Sequence, residues 1–281
     1  MFAALLADVP LRDDKEGMSV PLVSLAKNVR TAPIEWKSSD GTRYVRVTAN
    51  LSHGMATIWD YDILIWAISQ LNAAVEAGRE VSSTLRFHPY DLLRGIRRHV
   101  GGKDYLELEA ALNRLTGTLV ETNLRSANVR RRSTFHLLEQ WEHETDENTG
   151  ESRGLSLTLP QWILEGVVQH RDVLAIPADY FELSSGIARW IYRLARRHAG
   201  KQATGWRFTM KELHARSGST RELKDFAKDV RKVVAAQEVP DYQLDIVRSE
   251  TGEEVVRMVR DSAKAKVSRR KDTPKLKLPQ A

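Results

Sequence analysis

The 281-residue chain contains no cysteine. That excludes a disulfide framework, a zinc site built on thiolates and a cysteine nucleophile, and it is compatible with a reducing compartment. Long apolar runs are missing too. No stretch approaches the ~20 residues that a membrane helix needs, and the apolar patch from Phe2 to Ala7 lacks the basic flank and the length of a secretion signal. The expectation is a soluble, cytoplasmic protein. The composition, 42% hydrophobic and 28% charged, suits an ordinary globular chain rather than a disordered one. Most of the chain also lacks a charge excess. The formal charge is +6, but the tail sets Lys264, Lys266, Arg269, Arg270, Lys271, Lys275 and Lys277 against Asp272 alone. The tail therefore supplies the whole excess, and the rest is balanced.

Enzyme signatures are absent as well. Gly101-Gly102-Lys103-Asp104 imitates a phosphate loop, but it lacks the glycine five residues before Gly102 and places Asp104 where a magnesium-binding hydroxyl belongs. The eight histidines form no His-x-His or His-x-x-x-His pair. Asp60 and Asp62 could mimic a metal site, yet carboxylates at a helix start simply favour the helix dipole. No catalytic residue, metal or cofactor is expected.

What is present is a repeated order of elements. Residues 1–32, with Pro10 and Pro21, show no sustained periodicity and read as a flexible N-terminal arm. Segments 34–37 and 44–47 flank an Asp40-Gly41 turn and read as a hairpin. The spacing of Ile63, Leu64, Ala67, Ile68, Leu71 and Val75 predicts a helix over about 59–77, ended by Gly78. A short strand at 84–87 precedes a helix opened by Pro89. A second helix starts near Asp104, with Tyr105, Leu108, Leu112 and Leu115 inward. Strands are expected at 119–125, 134–142 and 154–159. The second half runs helix (184–199), short strand (206–208), helix opened by a Thr209–Glu212 capping box, helix (220–237) opened by a second box at Ser219, then strands at 242–248 and 254–259. A shift of 121 places lays Phe87 on Phe208, Leu92 on Leu213, Tyr105 on Phe226 and Leu112 on Val233. The expected fold is α+β: an arm (1–32), two tandem winged-helix domains (33–168 and 169–262) and a basic disordered tail (263–281).

Such a fold places its second helix-turn-helix helix in the major groove of DNA. On helix 220–237 the cations Arg221, Lys224, Lys228, Arg231 and Lys232 form a stripe beside the apolar one, while Arg216, Ser217, Ser219 and Thr220 in the turn suit a phosphate. The bland reading is a solvated, solubilising face with serine caps. In the first half, Lys103, Asn113 and Arg114 are the outward candidates, and Arg125, Arg130, Arg131 and Arg132 resemble a wing on the backbone; a dimerisation surface is the alternative. Arg189, Arg193, Arg196 and Arg197 suit phosphate contact or internal pairing equally. Trp66 and Trp190 read as core or interface residues rather than base-stacking platforms.

The segment Gly54-Met55-Ala56-Thr57-Ile58-Trp59-Asp60-Tyr61-Asp62-Ile63-Leu64-Ile65-Trp66-Ala67-Ile68-Ser69-Gln70-Leu71 resembles the plasmid replication initiator protein A family. Pro21–Lys27 and Phe87–Leu93 resemble it more weakly, and the likeness spans roughly residues 20–260. The resemblance implies binding to double-stranded DNA at repeated origin sites (iterons). It also implies strand opening with host replication proteins, a helicase or host initiator, and repression of its own gene as a homodimer. A dimeric winged-helix transcriptional regulator is the competing reading.

Overall fold

The computed structural model describes residues 1–4, 9–125, 131–200 and 202–262. In chain order the elements are β1 (Phe2–Ala3), β2 (Arg12–Asp14), β3 (Ile34–Lys37), β4 (Tyr44–Thr48), α1 (Tyr61–Glu76), β5 (Thr84–Phe87), α2 (Pro89–Gly95) and α3 (Gly102–Gly117). They continue with β6 (Leu119–Thr122), β7 (Ser133–His136), β8 (Gln140–Thr145), β9 (Ser152–Thr158), α4 (Gln161–Leu164) and β10 (Val173–Ala175). The last are α5 (Gly186–His198), β11 (Trp206–Thr209), α6 (Met210–Ser217), α7 (Leu223–Ala236), β12 (Tyr242–Arg248) and β13 (Glu254–Arg260).

The apolar run Ile63–Ile68 has no polar side, so α1 must be covered all round. It is: every residue from Tyr61 to Asn72 is buried. Around α1 and α5 one connectivity occurs twice. Helix α1, strand β5, helices α2 and α3 and hairpin β8–β9 form the first instance; α5, β11, α6, α7 and hairpin β12–β13 form the second. The strand orders agree, β5-β9-β8 and β11-β13-β12, with β1 added parallel to the outside of β5. The four residue pairs found by the 121-place shift occupy equivalent inward positions. Phe87 and Phe208 are buried at their strand ends, Leu92 and Leu213 in α2 and α6, and Leu112 and Val233 in α3 and α7. Tyr105 packs on the core partly buried where Phe226 is fully so.

Three expectations are corrected. The segment 134–142 is two strands in two sheets: β7 pairs with β6, whereas β8 pairs with β9. Strands β6 and β7 leave the first repeat and join the early hairpin in a separate sheet, β3-β4-β6-β7. The loop that follows Arg125 thus links β6 to β7, and the hairpin beside α3 is β8–β9, whose turn lies at 146–151. Second, most of the expected arm is no free arm. Met18, Val20, Leu22 and Val23 are core residues, β2 pairs with β10, and Ser69 on α1 caps the Arg12 amide at 2.7 Å. Without periodicity, the signal was the apolar content of 18–25 itself. Third, Ser219 opens no helix. α7 starts at Leu223 with Glu222 as an uncapped N-cap, and Ser219 Oγ accepts from Arg221 N in the turn. The Thr209–Glu212 capping box does form, with Glu212 N donating to Thr209 Oγ1 at 3.1 Å and Thr209 N to Glu212 Oε2 at 2.8 Å.

Candidate nucleic-acid interface

Apolar periodicity orients α7. Phe226, Ala227, Val230, Val233 and Val234 are buried, and Phe226 meets the Trp190 ring edge-on at 6.2 Å. That leaves Lys224, Lys228 and Arg231 in solvent on the far face, spaced by four and three residues, with Arg221 and Lys232 on its flank. α6 ends at Gly218, whose φ of +65° is the left-handed conformation that glycine tolerates best, and the turn to α7 begins there. The hairpin β12–β13 stands behind α7 and sends Glu254 to Arg231 at 2.5 Å.

Three of the five cations have surface acid partners: Arg221 and Lys232 share Asp229, and Arg231 takes Glu254. Exposed pairs of this kind contribute ~0–1 kcal/mol, so a phosphate competes with them easily. Lys224 and Lys228 have no ion pair among the described residues.

The turn residues divide. Thr220 is exposed. Ser217 is buried and internally used: its hydroxyl donates to His214 O at 2.7 Å and accepts from Ser219 N. Arg216 is half-buried over the rings of Trp36 and Phe208, at 5.6 and 5.4 Å, and desolvation pulls its pKa down. It ties α6 to β3 rather than presenting a bare charge.

The first repeat presents a different face. Lys103 is exposed but lies 3.6 Å from Glu107 on the same helix. Asn113 accepts from the Trp141 indole on β8 at 3.3 Å. Arg114 is bidentate on the buried Asp60, at 2.8 and 2.7 Å, and that carboxylate raises its pKa. Both are half-buried and have internal partners, in contrast to the open outward positions expected for them. Between Lys103 and Asn113, α3 exposes Leu106, Glu107 and Glu109, the first of them 69% accessible. The expected basic wing is dispersed: Arg125 is buried against Asp14 and over the Trp162 ring at 3.7 Å, and Arg131 forks onto Glu165 at 2.9 and 3.1 Å. Arg132 is exposed; Arg130 lies outside the described residues, as does the tail 263–281. The hairpin of the first repeat, β8–β9, is acidic, with Glu142, Glu144, Asp146, Glu147 and Glu151.

The α5 arginines all pair internally. Arg189 holds Asp62, Arg193 holds Asp13 at 2.7 Å, Arg196 donates to Ala175 O and Arg197 reaches Glu16. Trp66 and Trp190 are buried, as expected. Asp60 and Asp62 are taken up by Arg114, Arg189 and Arg98, and among the described residues no group of His, Asp and Glu has metal-binding geometry. No helix among them is long and apolar enough to cross a membrane.

The model of the family described as "Replication initiator protein A" matches residues 12–244. The chain belongs to that family. A relative from Wigglesworthia glossinidia brevipalpis, described as "Putative replication protein", is 34% identical over 194 residues, covering 68% of this chain and 70% of the relative. Among solved structures, domains 2 and 3 of RctB match with a TM-score of 0.62 at 13% identity, covering 87% of this chain and 97% of theirs. A second structure of the same domains gives 0.58 at 11% identity, covering 90% and 99%. The family assignment rests on sequence; at such identities the RctB likeness concerns the fold, a mixed helix-and-sheet architecture common to both. The family match begins at Arg12 and ends at Leu244, so it includes the buried 12–24 segment, the first repeat and the second repeat as far as the start of β12.

Proposed function

We propose that this initiator-family chain is a sequence-specific double-stranded DNA-binding protein that starts plasmid replication by binding repeated origin sites. In this reading the two repeats are winged-helix units, spanning 33–168 and 169–262, and α7 is the helix that enters the major groove. The observation that carries it is the exposed row Lys224, Lys228 and Arg231 on the second helix after a tight turn, backed by a hairpin. Arg and Lys at such positions reach guanine edges or phosphates. The protein acts by binding and strand opening together with host replication proteins, without a catalytic centre of its own. The units divide the work unequally. The acidic and apolar α3 face of the first suits a protein contact or a light touch on DNA, and the second does most of the reading.

The test is a footprint of the full chain on DNA flanking its own gene. Protection of several direct repeats, each with α7-dependent major-groove contacts, is the expected result. A single two-fold symmetric protected site at the gene's promoter would favour the dimeric regulator instead.

A further inference from the structure

Beside α7 runs a groove of about 950 Å³ whose opposite wall is the loop that follows the buried 18–24 segment. The loop is anchored at three places. Its start is pressed onto the first turn of α5, where a Cβ on Gly186 would come within 2.1 Å of Leu25 O. Its middle is held by Met55 N, which donates to Arg30 O at 2.8 Å. Its end is bound to the α6–α7 turn by the Arg30 guanidinium, which donates to Gly218 O, Ala32 O and Pro33 O at 2.5–2.9 Å. Loop and turn are therefore tied to each other, although nearly two hundred residues separate them. Between the anchors Ala26, Lys27, Asn28 and Val29 stand in solvent, as does Thr31 beyond Arg30.

Much of the groove's lining is apolar, with Leu25, Val29, Ile187, Phe226 and Val233 among it, and polar donors are set between these residues. Asn28 and Thr31 face it from the loop, and Ser219, Thr220, Arg221 and Lys232 from the turn and α7. Its acid Asp229 is already matched by Arg221 and Lys232, with Glu238 at the far end. Helical geometry sets this lining at one side of the Lys224, Lys228 and Arg231 row. A helix lying in a major groove has a sugar–phosphate strand along each flank, and hydroxyl, amide and guanidinium donors are the groups that hold it.

We propose that the 26–31 loop and the flank of α7 together take one sugar–phosphate strand of the duplex whose major groove α7 enters. The loop makes a backbone contact in the second repeat that belongs to neither its helices nor its hairpin. This rests on α7 as the groove helix, so its test keeps the two ideas apart. Asn28 and Thr31 are exposed, and lysine at either leaves the fold intact. The probe is the duplex that the full chain itself enriches from a random-sequence pool. Asn28→Lys and Thr31→Lys should each raise affinity and steepen the slope of log Kobs against log[salt] by about 0.9. Ethylation interference should extend along one strand beside the α7 contacts, and Asn28→Glu should weaken binding. If the lysine variants bind with unchanged slope and interference while Lys224→Ala/Lys228→Ala/Arg231→Ala loses affinity, the loop is no contact and α7 stands. If that triple variant also binds like the parent, both proposals fall.

Discussion

Arg189 donates through one nitrogen to both carboxylate oxygens of Asp62, at 2.7 and 2.8 Å, across 127 residues of sequence, and both side chains are buried. The same guanidinium donates to Leu183 O and Phe181 O at 2.7 Å, and Arg98 reaches Asp62 from the first repeat. Two residues earlier Asp60 takes Arg114; one turn further along α5 Arg193 takes Asp13. This chain of pairs clamps α1 to α3, to α5 and to the early segment.

Where both partners are buried and the acid has a single cation, as in Arg193–Asp13, removing that cation leaves a buried charge without its counterion, a loss of about 3–5 kcal/mol. Arg193→Met should cost that much in urea unfolding, whereas Lys103→Met, at an exposed pair, should cost under about 1 kcal/mol. Burial also pushes Asp62 up to about 6, against its usual 3.8. Its folded form thus takes up a proton before its unfolded form does. The stability it contributes is present in full below about pH 4 and is lost as pH rises through 6, at no more than about 1.4 kcal/mol per unit. The stability of the parent relative to Asp62→Asn should therefore grow as pH falls from 6 to 4. A difference that shrinks over that range would contradict the assignment.

Arg114 separates folding from binding. Because its fork is spent on Asp60, Arg114→Ala should lower stability by about 1–3 kcal/mol. At temperatures where the variant is folded, its DNA affinity should have the parent's salt slope. A slope lowered by about one unit would make Arg114 a phosphate contact after all.

Gly218 joins the α6–α7 turn to the rest of the molecule. A Cβ there would lie 2.8 Å from Ile34 Cγ2 and 3.1 Å from Pro21 Cβ, on a backbone already at φ +65°. Gly218→Ala combines left-handed strain with overpacking, and about 1–3 kcal/mol is expected from thermal or urea unfolding. Gly41, also at positive φ, has open space around its Cβ position, so Gly41→Ala should cost less.

The tail from Lys264 to Ala281 concentrates the net charge of the chain. Its deletion should reduce affinity for random-sequence duplex and leave the preference for the selected site unchanged, as counterion release carries no sequence information. Competition binding with both duplexes measures this, and a lost preference would mean that the tail reads bases.

Periodic elements were legible in the sequence. α1, α6, β12 and the Thr209–Glu212 cap all follow from local spacing, and the 121-place shift located both repeats. The break between β7 and β8 was not, because two adjacent alternating segments look like one strand until non-local partners claim them. Nor was the fate of the arginines. Arg189 and Arg193 on α5 have the spacing of a solvent-facing stripe, and only Asp13 and Asp62, far away in sequence, turn that stripe inward. The α7 row was legible because its apolar complement, Phe226 to Val234, fixes which side faces out. The groove beside it depends on Arg30 meeting Gly218, which no local pattern encodes.

The most direct measurement is the salt dependence of DNA binding by Lys224→Ala/Lys228→Ala/Arg231→Ala in the full chain, on its selected duplex. Affinity should fall strongly, and the slope should shrink by close to one unit for each phosphate contact removed, with urea unfolding near that of the parent. An unchanged affinity and slope would take α7 out of the interface.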